Sequence, residues 1–179
     1  MNGSASQKHK MWSFIAFVIL LSGCAVGGVG GPPQNAEGLR EFVRIAPFRG
    51  VESFEVARSF QEVTSTLREK NKECLAVIVN WRCINCIFNT KGTITFKTTM
   101  VTNPNRTELH FQRKGGSGGF EIGAPPDGPY RIVLDAVPSG PNRTKIDLYV
   151  RSIDDNLLRN AFRGWVRGTN LGCPDMTKR

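Results

Sequence analysis

The sequence predicts an α+β fold: a single antiparallel sheet of about five to six strands with two helices packed on one face. Three observations carry that prediction. Residues 57–74 place Phe60, Val63, Leu67 and Cys74 at helical spacing, with Arg58, Glu62, Arg68, Glu69, Lys70 and Lys72 on the opposite face. From residue 93 to residue 150 short alternating segments are separated by turn residues, which is the pattern of antiparallel strands. A second apolar stripe, Ile153, Leu157, Ala161, Phe162 and Trp165, closes the order with another helix. A sheet with one apolar face must bury it, and two amphipathic helices suffice to do so.

Residues 1–23 are set apart as a signal peptide, 24–36 as a tether and 37–179 as a single domain. Residues 37–45 fit a short helix or an edge strand equally. Gly50–Val56 reads as a first strand with Val51, Phe54 and Val56 as its apolar members. The unbroken run from Leu75 to Trp81 is rich in β-branched residues and reads as a central strand buried on both faces. Thr93–Met100 puts Ile94, Phe96 and Met100 on one side. Asn103-Pro104-Asn105 turns the chain into Arg106–Lys114, with Leu109 and Phe111 inward. Pro125-Pro126-Asp127-Gly128-Pro129 introduces the strand Tyr130–Val137. After the turn at 138–142, Ile146, Leu148 and Val150 point one way and Lys145, Asp147 and Tyr149 the other. Ser152 with Asp155 has the spacing of a capping box, and Gly168 is a plausible stop for the last helix. This order of elements resembles helix-grip domains, in which a curved sheet wraps a C-terminal helix. The likeness rests on element order and implies a fold rather than an activity.

The N-terminus carries the specific signal. Lys8 and Lys10 precede an apolar run, Met11–Leu21, that ends in Leu21-Ser22-Gly23-Cys24. A basic segment, a short apolar core and a small-residue site form an export signal, too short to span a bilayer comfortably. The final four residues resemble the lipobox of bacterial lipoproteins. That resemblance implies cleavage before Cys24 and diacylglycerol on its sulfur, with the membrane as the first partner. Ala25, next in line, implies sorting to the outer membrane, facing the periplasm. Ala25–Ala36, with its glycines and Pro32-Pro33, reads as a flexible tether.

Removal of residues 1–23 leaves 156 of the 179 residues and, without Lys8 and Lys10, a net charge of +7 rather than +9. The positive residues are scattered, which argues for solubility rather than a dedicated nucleic-acid arm. Beyond Cys24 there are four cysteines, Cys74, Cys83, Cys86 and Cys173, an even number that in an exported chain indicates disulfides. Three pairings are open to them, and the sequence alone does not choose. The expected one is Cys74 with Cys173 and Cys83 with Cys86.

Candidate chemistry is sparse. Cys83-Ile84-Asn85-Cys86 has the spacing of a redox pair, but the residues after it read as loop, without the helix N-terminus that would lower a thiol pKa. A staple is the better reading, with a thiol oxidoreductase as an alternative. Zinc would need Cys74 and Cys173 as further ligands, which an oxidising compartment disfavours, so neither metal nor cofactor is expected. His110 is expected on the solvent face of its strand beside Glu108, with Asp135 and Asp147 as further outward positions; no nucleophile pattern accompanies them. Gly115–Gly119 lacks the lysine and following helix of a phosphate loop and reads as a hairpin connection. Pro-Asn-Arg-Thr recurs at 104–107 and 141–144 as turn chemistry. Arg159, Arg163 and Arg167 share one face of the last helix and could form a docking ridge for an anionic partner. The reading is a non-enzymatic envelope lipoprotein that binds or assembles with another envelope protein. The other alternative is a carrier of a small apolar ligand or lipid, held among Phe96, Phe111 and Trp165.

Overall fold

The structure is a computed structural model and describes residues 31–45, 50–82, 91–115 and 122–177. The chain divides into two units, 1–30 and 31–179; all that follows concerns the second. Its order is α1 (Ala36–Ile45), β1 (Gly50–Val56), α2 (Phe60–Lys70), a π-helical turn (Asn71–Leu75), β2 (Ile78–Arg82), β3 (Lys91–Asn103), β4 (Arg106–Gly115), β5 (Tyr130–Gly140), β6 (Arg143–Val150) and α3 (Asn156–Arg167). The six strands form one antiparallel sheet in the order β1-β6-β5-β4-β3-β2. The α+β class and the single sheet match expectation, but the described residues hold three α-helices rather than two. Among the described residues no helix is long and apolar enough to cross a membrane.

Helices α2 and α3 cover one face, as the two amphipathic stripes demand. The core there joins Val63 and Leu67 of α2 and Phe162 and Trp165 of α3 to Phe96, Leu109, Phe111, Leu134, Ile146 and Leu148 of the sheet. Ser59 opens α2 with a full capping box: its Oγ accepts from the Glu62 amide at 3.3 Å, and Glu62 Oε2 accepts from the Ser59 amide at 2.9 Å. Gly168, at φ +71°, ends α3 with its amide bonded to the Trp165 carbonyl. Arg58 then donates to the Trp165 and Val166 carbonyls at 3.0 and 3.3 Å, placing a cation at the negative end of α3.

Several expectations change. Helix α1 lies on the other face of the sheet, where Leu39 and Val43 pack with Val133 and Tyr149. That second small core is why β5 is buried on both sides over Ile132–Ala136. The run 75–81 is no central strand: Leu75 finishes the π-helical turn, and β2 is an edge strand with Ile78 68% exposed. Val77 and Val79 do pack on the core, so half of that run behaves as expected. Val51 faces away from Phe54 and Val56, because adjacent strand residues take opposite faces. Lys70 is buried at the end of α2 and held by Glu73 at 2.6 Å. The box expected at 152–155 does not form. Ser152 instead bonds Asp154, while the Asp155 carboxylate turns to Arg131.

Gly128 shows how tightly the turn into β5 is built. Its φ is +85°, and a β-carbon there would lie 2.1 Å from the Arg113 carbonyl oxygen. The Gly128 carbonyl in turn accepts from Gln112 Nε2 at 2.9 Å, beside the register shift between Phe111 and Gln112.

Candidate functional site

The second face of the sheet holds a connected group of charges. Arg40 points from the middle of α1 into the interface and is 6% exposed. Its Nε and Nη2 meet the two Asp135 carboxylate oxygens at 3.0 and 2.7 Å, a two-pronged pair, and Nη2 also meets Glu108 Oε2 at 2.5 Å. Glu37, one turn earlier, takes Nη1 at 3.0 Å. Arg106 adds a second cation, with Nη2 3.0 Å from Asp135 Oδ2 and Nε 3.3 Å from Glu108 Oε1. His110 Nε2 lies 3.0 Å from Glu108 Oε2, and its ring meets Tyr130 edge-on at 5.9 Å.

Strand alternation explains the grouping. Glu108 and Asp135 are cross-strand partners, and Asp135 is also opposite Asp147, so carboxylates from neighbouring strands share one face. Like charges there require cations, which α1 and Arg106 supply. Burial works against charge on Arg40, but the hydrogen bonds to Asp135 and Glu108 outweigh it and keep the guanidinium charged. For Glu108, burial favours the neutral acid; the hydrogen bonds with His110 and Arg40, and the charges of Arg40 and Arg106, hold its carboxyl below the usual range. The expectation of outward, solvated positions is corrected for His110, which is largely covered, and for Asp135, which is buried. Chemically the group is a clamp. The His110 nitrogen described is engaged by Glu108, and the acids are matched by arginines.

A second buried pair lies at the start of α3. Arg131 donates from Nε and Nη2 to the two Asp155 oxygens at 3.2 and 3.1 Å. Desolvation raises the Asp155 carboxyl above its ordinary range, with Arg131 opposing the shift.

The remaining sequence candidates divide. Cys74 and Cys173 are joined as a disulfide, which ties the end of the π-helical turn to the C-terminal segment. Glu73 stands close enough to both sulfurs to share a metal ion with them, but a disulfide leaves neither sulfur as the thiolate that a metal needs. Cys24, with Leu21-Ser22-Gly23 before it, and Cys83 with Cys86 lie outside the described residues. The expected ridge on α3 is turned onto β1: Arg159 and Arg163 both meet Glu52, at 3.5 and 2.7 Å, and Arg167 stacks over the Phe54 ring at 5.0 Å. Its cations have partners within the fold, because Glu52 shares the face of β1 that α3 covers. Phe96 and Phe111 stack on one another at 5.4 Å, and Trp165 packs edge-on against Phe162 while donating to the Gly172 carbonyl. Arg40, with Arg106 and Glu37 beside it, went unmarked in the sequence. The signal for Arg40 is an arginine next to Leu39 on the helix face that Val43 shares, where burial calls for a carboxylate partner.

No family model matches this chain, and no curated protein does. Among solved structures, a conserved protein from Geobacillus kaustophilus is 17% identical, over 67% of this chain and 93% of that one, with a TM-score of 0.39. The hypothetical protein jhp0584 from Helicobacter pylori is 12% identical over 72% of this chain and 92% of its own, also at 0.39. Likeness at this level carries no argument about function.

Proposed function

We propose that the chain is a lipid-anchored protein of the bacterial envelope, sorted to the outer membrane, whose folded unit works by binding or assembly rather than by catalysis. The observation that carries this reading is the run from Lys8 to Cys24, ending in Leu21-Ser22-Gly23-Cys24. Acyl chains on Cys24 would hold the protein strongly, since each buried methylene contributes about 0.8 kcal/mol and several chains act together. The Cys74–Cys173 disulfide supports an exported location, where oxidising conditions preserve such bonds. The charged group around Arg40 supports a non-catalytic body, because its charges are used to fasten α1 to the sheet.

Labelling cells with a palmitate analogue tests the anchor. The parent chain is expected to take up label and to fractionate with membranes, and Cys24→Ala is expected to do neither. Undiminished labelling of Cys24→Ala would overturn the assignment.

A further inference from the structure

We infer that the end of α1 and the start of β1 form a surface that rests on anionic phospholipid headgroups, so that the body lies against the membrane in a fixed orientation. The inference rests on the lipid-anchor reading and adds a second, weaker contact to it. Ile45, the last residue of α1, is 62% exposed, and Val51, on β1, is 42% exposed. The two belong to one region of the sheet's second face: Val51 is the cross-strand partner of Tyr149, and Tyr149 packs beneath α1. Arg44 precedes Ile45 in the chain, and Arg151 follows two residues after Tyr149, the partner of Val51. Arg44 donates from Nη2 to the Tyr149 hydroxyl at 3.3 Å and lies over its ring at 5.6 Å, and the Arg151 guanidinium lies 5.8 Å from the centre of the Phe42 ring. Stacking on aromatic rings fixes the two cations at the rim, where their charge reaches phosphate.

Exposed aliphatic groups bordered by arginine suit the boundary between headgroups and acyl chains. Position along the chain favours a membrane over a protein as the occupant. Helix α1 is the first element after the tether, and the twelve peptide steps from Cys24 to Ala36 reach at most about 40 Å. A body on so short a leash meets its own membrane continually, so even a weak surface is occupied.

The test uses the full chain as cells process it, reconstituted in vesicles of phosphatidylglycerol and phosphatidylethanolamine with brominated acyl chains. Bromine quenches tryptophan only when the ring reaches the acyl region. Ile45→Trp is expected to be quenched well beyond the parent chain. Leu171→Trp, at an exposed site in the C-terminal segment, should stay at the parent level. Reversing the border with Arg44→Glu and Arg151→Glu should shift the docking equilibrium by roughly thirtyfold or more and remove the added quenching. Equal quenching at Ile45→Trp and Leu171→Trp would mean a freely tumbling body and overturns the inference. So does the absence of quenching at Ile45→Trp, which would leave this patch to a protein partner. Mass spectrometry of Cys24 reports separately on the anchor. If Cys24 carries no lipid, the anchor reading fails, and the same quenching comparison with added vesicles still judges the surface.

Discussion

Removing the Arg40 guanidinium tests whether the charged group holds α1 in place. Arg40→Leu leaves Asp135, itself 5% exposed, with Arg106 at 3.0 Å as its remaining cation, and leaves Glu108 with Arg106 and His110. Breaking a buried pair by deleting one partner costs about 3–5 kcal/mol, and the surviving Arg106 contact puts this case near 3 kcal/mol. For a folded unit of this size that corresponds to a fall in Tm of about 6–12 °C. Urea unfolding of parent and variant, with the disulfide intact, reads the difference directly. Arg40→Leu combined with Asp135→Leu is expected to recover most of the loss. Both buried charges are then gone together, and Arg106 still balances Glu108. A shift below about 1 kcal/mol for Arg40→Leu, with unchanged amide exchange across residues 36–45, would refute the clamp. A double variant as unstable as the sum of its singles would refute the charge-pair explanation of it.

Two further outcomes follow from the same contacts. The Glu108 carboxyl is held below its ordinary value of 4.5, so its contribution is fully present above that pH and is lost as the pH falls through the lower folded value. Urea midpoints from pH 6 down to about pH 3 should therefore fall more steeply in the parent than in Glu108→Gln, and parallel curves would contradict this. Cys74→Ser opens a loop with a sequence separation of 99, for which chain entropy sets an upper bound of about 4.7 kcal/mol. A loss of about 2–4 kcal/mol is expected, seen equally on adding a thiol reductant to the parent; no loss under either condition would mean the bond does not constrain the unfolded chain.

Much of the fold was legible because its signals were local and periodic. The inward sets of β3, β4 and β6 follow from alternation alone, and Gly168 ends α3 because its backbone adopts a conformation that glycine favours. Expectation and structure part where partners distant in sequence decide the outcome. Ser59 and Glu62 have the same spacing as Ser152 and Asp155, yet only the first pair caps a helix. At the second, Arg131 is near enough to capture the carboxylate, and it comes from a strand, 24 residues earlier in the chain. Ile78 sits within a run that looks doubly buried, but β2 ends the sheet, and edge position is a property of topology rather than of the run itself.

The same reasoning explains why the charged group reads as surface in the sequence. Alternation correctly assigns Glu108, His110, Asp135 and Tyr149 to the face opposite the main core. Whether that face meets water depends on α1, and α1 was ambiguous because its central residue is an arginine. Leu39 and Val43 alone make a narrow stripe; Arg40 completes it only once Asp135 lies below. Helix and carboxylate thus specify each other: without α1 two acids would face each other across β4 and β5, and without the acids α1 would bury an unpaired cation. A cover held by charge rather than by a broad apolar stripe leaves its outer side to carry Arg44 and Ile45. Those outward residues are the ones through which the proposed orientation against a membrane would act.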